Sequence, residues 1–424
     1  MFAKLKLLGN DRNKDLRKRL LFTFLCLFVF KLGTAIIVPG VDTSALGNNL
    51  GFLDLVNAMG GGAMEKFSIL SLGVMPYITA SIIIQLLSQM ELVPYLAELS
   101  KQGGVGRNKL NQITRVLGIV LAFVQGYILS FTFIPNGSVM DYMMFSTVLT
   151  AGTCFLLWLG DQITAKGIGN GVSLIIMAGI IATLPNMFKD AYTALVVAGD
   201  LQVILFGITK FVLFVLLYLA IVIAVVYEET SERRIPVQYA NKSNSVYGAN
   251  KNYMPFKLNS SGVMPVIFAS AIISIPGILA GVIKNEGFSL FVSKWLTLNS
   301  IPGFILYLIL IVLFTLLYTF MQIKPKELSE NLNKQGGFIP GVRPGDETVK
   351  YINRVLKRIS TVGALFLAFI AALPIVFGMV SNLPSSVRIG GTGLLIVVGV
   401  ALETYKQIES KLVTGEYVRG RRRR

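Results

Sequence analysis

A chain of 424 residues could fold as two or three water-soluble domains, but 14% of its residues are charged and 54% are apolar, with a mean hydropathy of +0.67. A soluble protein of this size has to present far more polar surface than that composition supplies. The sequence contains no histidine, which removes the usual proton shuttle and the commonest metal ligand. Its only cysteines, Cys26 and Cys154, sit inside apolar runs and read as small buried hydrophobes, so zinc, haem and cysteine-nucleophile chemistry are not expected.

Residues 1–19 form a cytoplasmic N-terminal segment with seven basic side chains, and no small-residue cleavage site follows closely, so no cleavable signal peptide is expected. Ten apolar stretches then predict membrane-crossing helices, each near the ~20 residues that traverse a bilayer. They run over 20–38, 69–90, 113–133, 143–160, 168–186, 203–227, 260–283, 302–323, 357–378 and 389–406. The first is interrupted by Lys31, and the tenth is free of charge only over 389–402, so both lean on snorkelling or on neighbouring helices. Between the first two spans, Phe52, Leu53, Leu55, Val56 and Met59 make a short amphipathic stretch that ends in Gly60, Gly61 and Gly62. It is too short to cross, so it lies at the interface or re-enters the protein, with the glycines as a hinge.

Orientation follows from Lys and Arg. Of the 39 such residues, 32 fall on the N-terminus, the tail and the loops 91–112, 161–167, 228–259 and 324–356 with their flanking helix ends. That bias places both termini in the cytoplasm and accounts for most of the +17 net charge. The basic tail 407–424, ending RGRRRR, reads as an anionic-lipid contact. Loops 228–259 and 324–356 are too long to be connectors. They mix charge with turn formers, which suits a partner that is acidic or carries RNA, with no sequence-specific nucleic-acid binding expected.

Four strings carry a resemblance. LGVMPYITASIIIQLL from Leu72, DQITAKGIGNGVSLIIMAGI from Asp161, GFIPGVRPGDETVKYINRVLKRIS from Gly337 and GGTGLLIVV from Gly390 resemble the SecY family of bacterial protein-conducting channels, in the same order and across essentially the whole chain. The resemblance implies an all-α polytopic protein with ten helices in two pseudo-symmetric halves of five around an hourglass pore. Those halves are 20–186 and 203–406, joined by an external connector at 187–202, with a short plug helix at 52–66. It implies a waist of aliphatic side chains at Val74, Ile78, Val172, Ile176, Ile267 and Ile396. The spacing fits, because Val74 with Ile78 and Val172 with Ile176 are four residues apart and project from one helical face. A narrow aliphatic waist resists wetting, so it blocks hydrated ions while sealing around substrates of any sequence.

The resemblance also implies a sideways opening between spans two and three on one half and seven and eight on the other, with Gln85 and Asn170 as polar contacts of that lateral gate. Arg343 in GVRPG resembles the family's arginine that engages the motor ATPase SecA. Arg233 and Arg234 resemble the basic pair facing the ribosome and SecA, although Thr230 and Glu232 depart from the commoner pattern there. No phosphate-binding G-x-x-x-x-G-K-[ST] string is present, so no enzyme and no cofactor is expected, and the energy for transport comes from SecA or the ribosome. SecE and SecG are the implied subunits, signal sequences and unfolded preproteins the cargo, and the bacterial cytoplasmic membrane the location. The rival reading is a secondary transporter with inverted repeats. It requires ionisable groups at midplane, and apart from charges at the ends of the third, ninth and tenth stretches the spans hold only Lys31 and Lys210.

Overall fold

The computed structural model describes residues 14–39, 57, 60–134, 137–196, 201–239, 252–283, 285–298, 300–381 and 383–420. Helices dominate it. In the first part of the chain these are α1 (Lys14–Gly33), α2 (Met75–Gln89), α3 (Pro94–Lys101), α4 (Gly103–Phe133), α5 (Val139–Lys166), α6 (Gly171–Leu195) and α7 (Leu201–Thr230). Strands β1 (Glu232–Pro236), β2 (Gln238–Tyr239) and β3 (Tyr253–Lys257) follow. After them come α8 (Met264–Val282), α9 (Glu286–Trp295), α10 (Ile301–Gln322), α11 (Pro325–Lys334), β4 (Gly337–Phe338), α12 (Asp346–Val380) and α13 (Ser385–Gly420).

The helix starts follow from local chemistry. Ser138 and Asp141 form a capping box on α5, in which Asp141 Oδ2 accepts from the Ser138 N–H at 2.8 Å. Prolines stand in the first turn of α2, α3, α8, α10 and α11, where their missing N–H costs nothing. Internal prolines at 185, 276 and 374 are tolerated because packed neighbours hold the helices.

Each of the ten predicted stretches coincides with a helix, but the boundaries move. Among the described residues six helices are long and apolar enough to cross a membrane, and a seventh crossing arises if α2 and α3 are taken as one bent span. The expected count of ten is therefore not reached on length and composition alone. Helix α2 has only 15 residues and turns through 89° into α3, closed by Lys101 Nζ on Glu91 Oε1 at 2.8 Å. Lys101 holds the Glu91 carboxyl below its usual range. Helix α6 runs on to Leu195 and α7 begins at Leu201, so the expected connector 187–202 is mostly helical. Helix α12 starts eleven residues before the predicted span, at Asp346, within the expected loop 324–356.

Residues 60–73, expected to enter the second span at 69, fold as turns stitched to the end of α1. The Val38 N–H donates to Phe67 O at 2.8 Å, the Ile69 N–H to Ile36 O at 3.0 Å, and Ser68 Oγ to Gly33 O at 2.9 Å. Gly73 then takes φ +57, a left-handed turn that a side chain would strain, and releases the chain into α2.

Helices α2, α4, α5 and α6 pack in sequence on one side, and α8, α10, α12 and α13 on the other. The two groups meet where α8 lies against α2 and α4, and where α13 lies against α6. Outward faces remain apolar and exposed, as at Phe206, Ile223 and Leu365. A surface of that kind belongs in lipid.

Two small sheets make a separate module. β1 pairs antiparallel with β3, Ile235 opposite Met254, and β2 pairs with β4, Tyr239 opposite Gly337. The second ladder joins the loop 228–259 to the loop 324–356. Beneath it Ile235, Val237, Phe256, Leu332, Ile339, Ile352 and Leu356 share a core of their own.

Candidate functional site

The six positions expected at the waist lie in the buried apolar interior or against it. Val74 caps α2, and one turn on the Ile78 N–H donates to Val74 O at 3.1 Å. Ile176 projects from α6, Ile267 from the first turn of α8 and Ile396 from the middle of α13. Val74, Ile78, Ile176, Ile267 and Ile396 are each buried to 5% exposure or less and belong to one apolar cluster, against which Val172 packs half-buried. Both helix groups contribute to it. No charged residue occurs within a turn of any of the six, and close helix approach draws the elements together. A Cβ at Gly393 of α13 would stand 2.8 Å from Ile180 Cγ2 of α6.

Of the expected plug helix 52–66, residues 52–56, 58 and 59, with Phe52, Leu53, Leu55, Val56 and Met59 among them, lie outside the described residues, and 60–66 form turns where helix was expected. Its root is described. Gly60, Gly61 and Gly62 form turns, and Gly61 takes φ +74 with its backbone so close to α6 that a Cβ would meet Gly179 Cα at 3.1 Å. Asn57 O accepts from the Gly62 N–H at 2.9 Å, and Lys31 Nζ on α1 donates to Gly61 O at 3.5 Å. The glycine triplet is thus wedged between α1 and α6, at the level of the helix carrying Val172 and Ile176.

The two amides expected at the lateral gate separate into different roles. Gln85 Nε2 donates to Ser81 Oγ at 3.0 Å, and its side chain lines an apolar cleft with Ile82, Leu86, Phe268, Phe314 and Tyr318. That cleft runs between α2 on one group and α8 and α10 on the other. The aromatic wall of Phe268, Phe314 and Tyr318, with ring centroids 5.9 and 6.0 Å apart, was not singled out by the sequence, because a Phe in an apolar run carries no mark of its facing. Asn170 is an N-cap instead. Its Oδ1 accepts from the Val172 N–H at 3.1 Å and the Ser173 N–H at 3.4 Å, and the residue is exposed at the start of α6. The expectation that it sits deep at the gate is corrected to a cap that orients the helix bearing Val172 and Ile176.

On the module, Arg233 and Arg234 stand exposed on β1. Arg234 Nε reaches Glu232 Oε1 at 2.7 Å, its guanidinium lies over the Tyr253 ring at 4.7 Å from the centroid, and these contacts raise its basicity, the hydrogen bond to Glu232 most. Glu232, which departs from the family pattern, thus pairs with the arginine it flanks. Arg343 is exposed in the turn between β4 and α12, where Thr348 Oγ1 donates to its carbonyl at 2.9 Å.

Fold and site together define a polytopic helical membrane protein whose two helix groups share one apolar interior, with a basic module where two loops join. The SecY family model matches residues 68–405. A protein translocase subunit SecY of Staphylococcus carnosus is 44% identical over 96% of both chains. Another from Halalkalibacterium halodurans is 46% identical over 95% of this chain and 96% of its own. Among solved structures, a protein-conducting channel matches with a TM-score of 0.65 at 18% identity, covering 94% of this chain and 93% of the other. Sec61 in the canine ribosome–channel complex from the endoplasmic reticulum matches at 0.63 and 18%, with the same coverage. The chain belongs to the SecY family.

Proposed function

We propose that the protein is the pore-forming subunit of a membrane protein translocase, a passive channel that moves unfolded secretory polypeptides across the cytoplasmic membrane and releases apolar segments sideways into lipid. One observation carries this reading: aliphatic side chains from α2, α6, α8 and α13, drawn from both helix groups, share one buried apolar core, with no charged residue within a turn of them. Such a constriction excludes hydrated ions by dewetting, and it grips no particular side chain, because it offers no directional bond. The cleft beside Gln85 and Phe268 lies along the line between the groups, which supports a seam there for lateral release. The glycine root at 60–62 supports a plug at 52–66 that pivots above the waist.

Energy comes from SecA or the ribosome acting on the module that displays Arg233, Arg234 and Arg343, with SecE and SecG as companion subunits and both termini cytoplasmic. A small-solute transporter is disfavoured, since the six central positions have no ionisable neighbour to couple an ion to its cargo.

The test is ion conductance of the resting channel in planar bilayers. Ile78→Gly with Ile396→Gly raises it, and an unchanged conductance would remove these residues from the constriction. Arg343→Glu leaves membrane insertion intact and stops motor-driven export. Normal export by that variant would detach Arg343 from the motor.

A further inference from the structure

Behind the helices that carry Ile267 and Ile396 lies a polar contact in otherwise apolar surroundings. Tyr307 of α10 is fully buried, with its Oη 3.5 Å from Ser270 Oγ of α8. The Thr392 hydroxyl of α13 lies beside the same phenol. Ser270 and Thr392 are buried to 1% and 3% exposure, so water cannot replace either partner at the surface. One phenol therefore touches two other helices.

The spacing gives the contact its meaning. Ser270 follows Ile267 by three residues, and Thr392 precedes Ile396 by four, so each hydroxyl shares a helical face, one turn away, with a side chain of the central cluster. Helices α8 and α13 make only a short direct contact, whereas α10 packs extensively along α8 and α12. The phenol thus bridges two cluster-bearing helices that touch little by themselves. Within a bilayer an orphaned hydroxyl finds no solvent, which gives such a bridge directional hold that aliphatic packing lacks.

We propose that Tyr307 is a positioning residue for the pore waist, setting through Ser270 and Thr392 how closely Ile267 and Ile396 approach. This rests on the reading of those isoleucines as the waist. Tyr307→Phe keeps the ring and removes only the tie. Reconstituted with its companion subunits, that variant raises resting ion conductance about threefold, the population shift that one interhelical hydrogen bond in a membrane sustains. Ser270→Ala and Thr392→Val raise it similarly, and combining either with Tyr307→Phe adds nothing, because all three cut one tie.

The same series is run beside Ile78→Gly with Ile396→Gly. A wild-type conductance for Tyr307→Phe next to a leaking isoleucine pair overturns the tie and leaves the waist standing. Leaks of the hydroxyl variants that simply multiply also overturn it, since the groups then act separately. A leaking Tyr307→Phe beside a tight isoleucine pair overturns the waist reading, and with it the role assigned to Tyr307.

Discussion

Asn170 marks a place where one polar side chain serves helix geometry. With Oδ1 accepting two backbone N–H groups at the start of α6, its loss leaves orphan donors, so Asn170→Ala costs about 1 kcal/mol while Asn170→Asp keeps the cap. Thermal unfolding of the purified complex in detergent checks this, and equal losses for both variants would mean the amide acts otherwise. Its residue type and the glycines around it were visible in the sequence. An amide beside an apolar run reads equally as cap or membrane contact, and only the observed helix start decides. Glu228, near the C-terminal end of α7, makes the opposite case. It is 1% exposed, and neither carboxyl oxygen has a hydrogen-bond partner among the described residues. A buried carboxyl without a partner costs stability, so Glu228→Met is expected to raise the unfolding midpoint. A lowered midpoint would reveal a partner for the acid.

At the scale of elements, length and apolarity announced every long helix, since a bilayer demands an uninterrupted run of fixed span. What they missed was local. Residues 69–73 looked like the start of a span, yet Gly73 with φ +57 and the bonds from Ser68 and Ile69 to the end of α1 win over apolarity. The first turns of α12 read as loop because they are polar. The two-sheet module was the least legible, for β2 and β4 lie about a hundred residues apart in the chain, and a two-residue ladder leaves no periodic signal. Its core can be probed: Phe256→Ala removes a buried ring worth about 3–5 kcal/mol, and the loop 228–259 becomes more sensitive to protease. Tyr253, which is 49% exposed, tolerates the same change. Equal cleavage of the two variants would show that the shared core does not hold the hairpin.

For the whole molecule, the excess of Lys and Arg on alternate loops predicts which side each loop faces. A single cysteine at 343 is therefore labelled by an impermeant thiol reagent only in inverted vesicles, and one at 189 only in intact cells, in a background with Cys26 and Cys154 replaced. Labelling of both from one side would reverse the topology. The family fold was legible through the resemblance, while the surfaces on which the helix groups meet were not. Facing within a membrane helix is set by neighbours, and the sequence gives each neighbour in isolation. The Tyr307 contact is of that kind, with three hydroxyl residues from distant stretches acquiring a common purpose only when α8, α10 and α13 come together.

The ladder between Gln238 and Phe338, with Ile235 and Ile352 in one core, makes the two large loops a single unit of exchange. Transplanting one of them from a relative would pair foreign side chains with a resident half, and a graft that fails alone should recover when both are swapped together. Drift in either loop is accordingly constrained by the other, so differences between relatives in these loops should be inherited as matched sets.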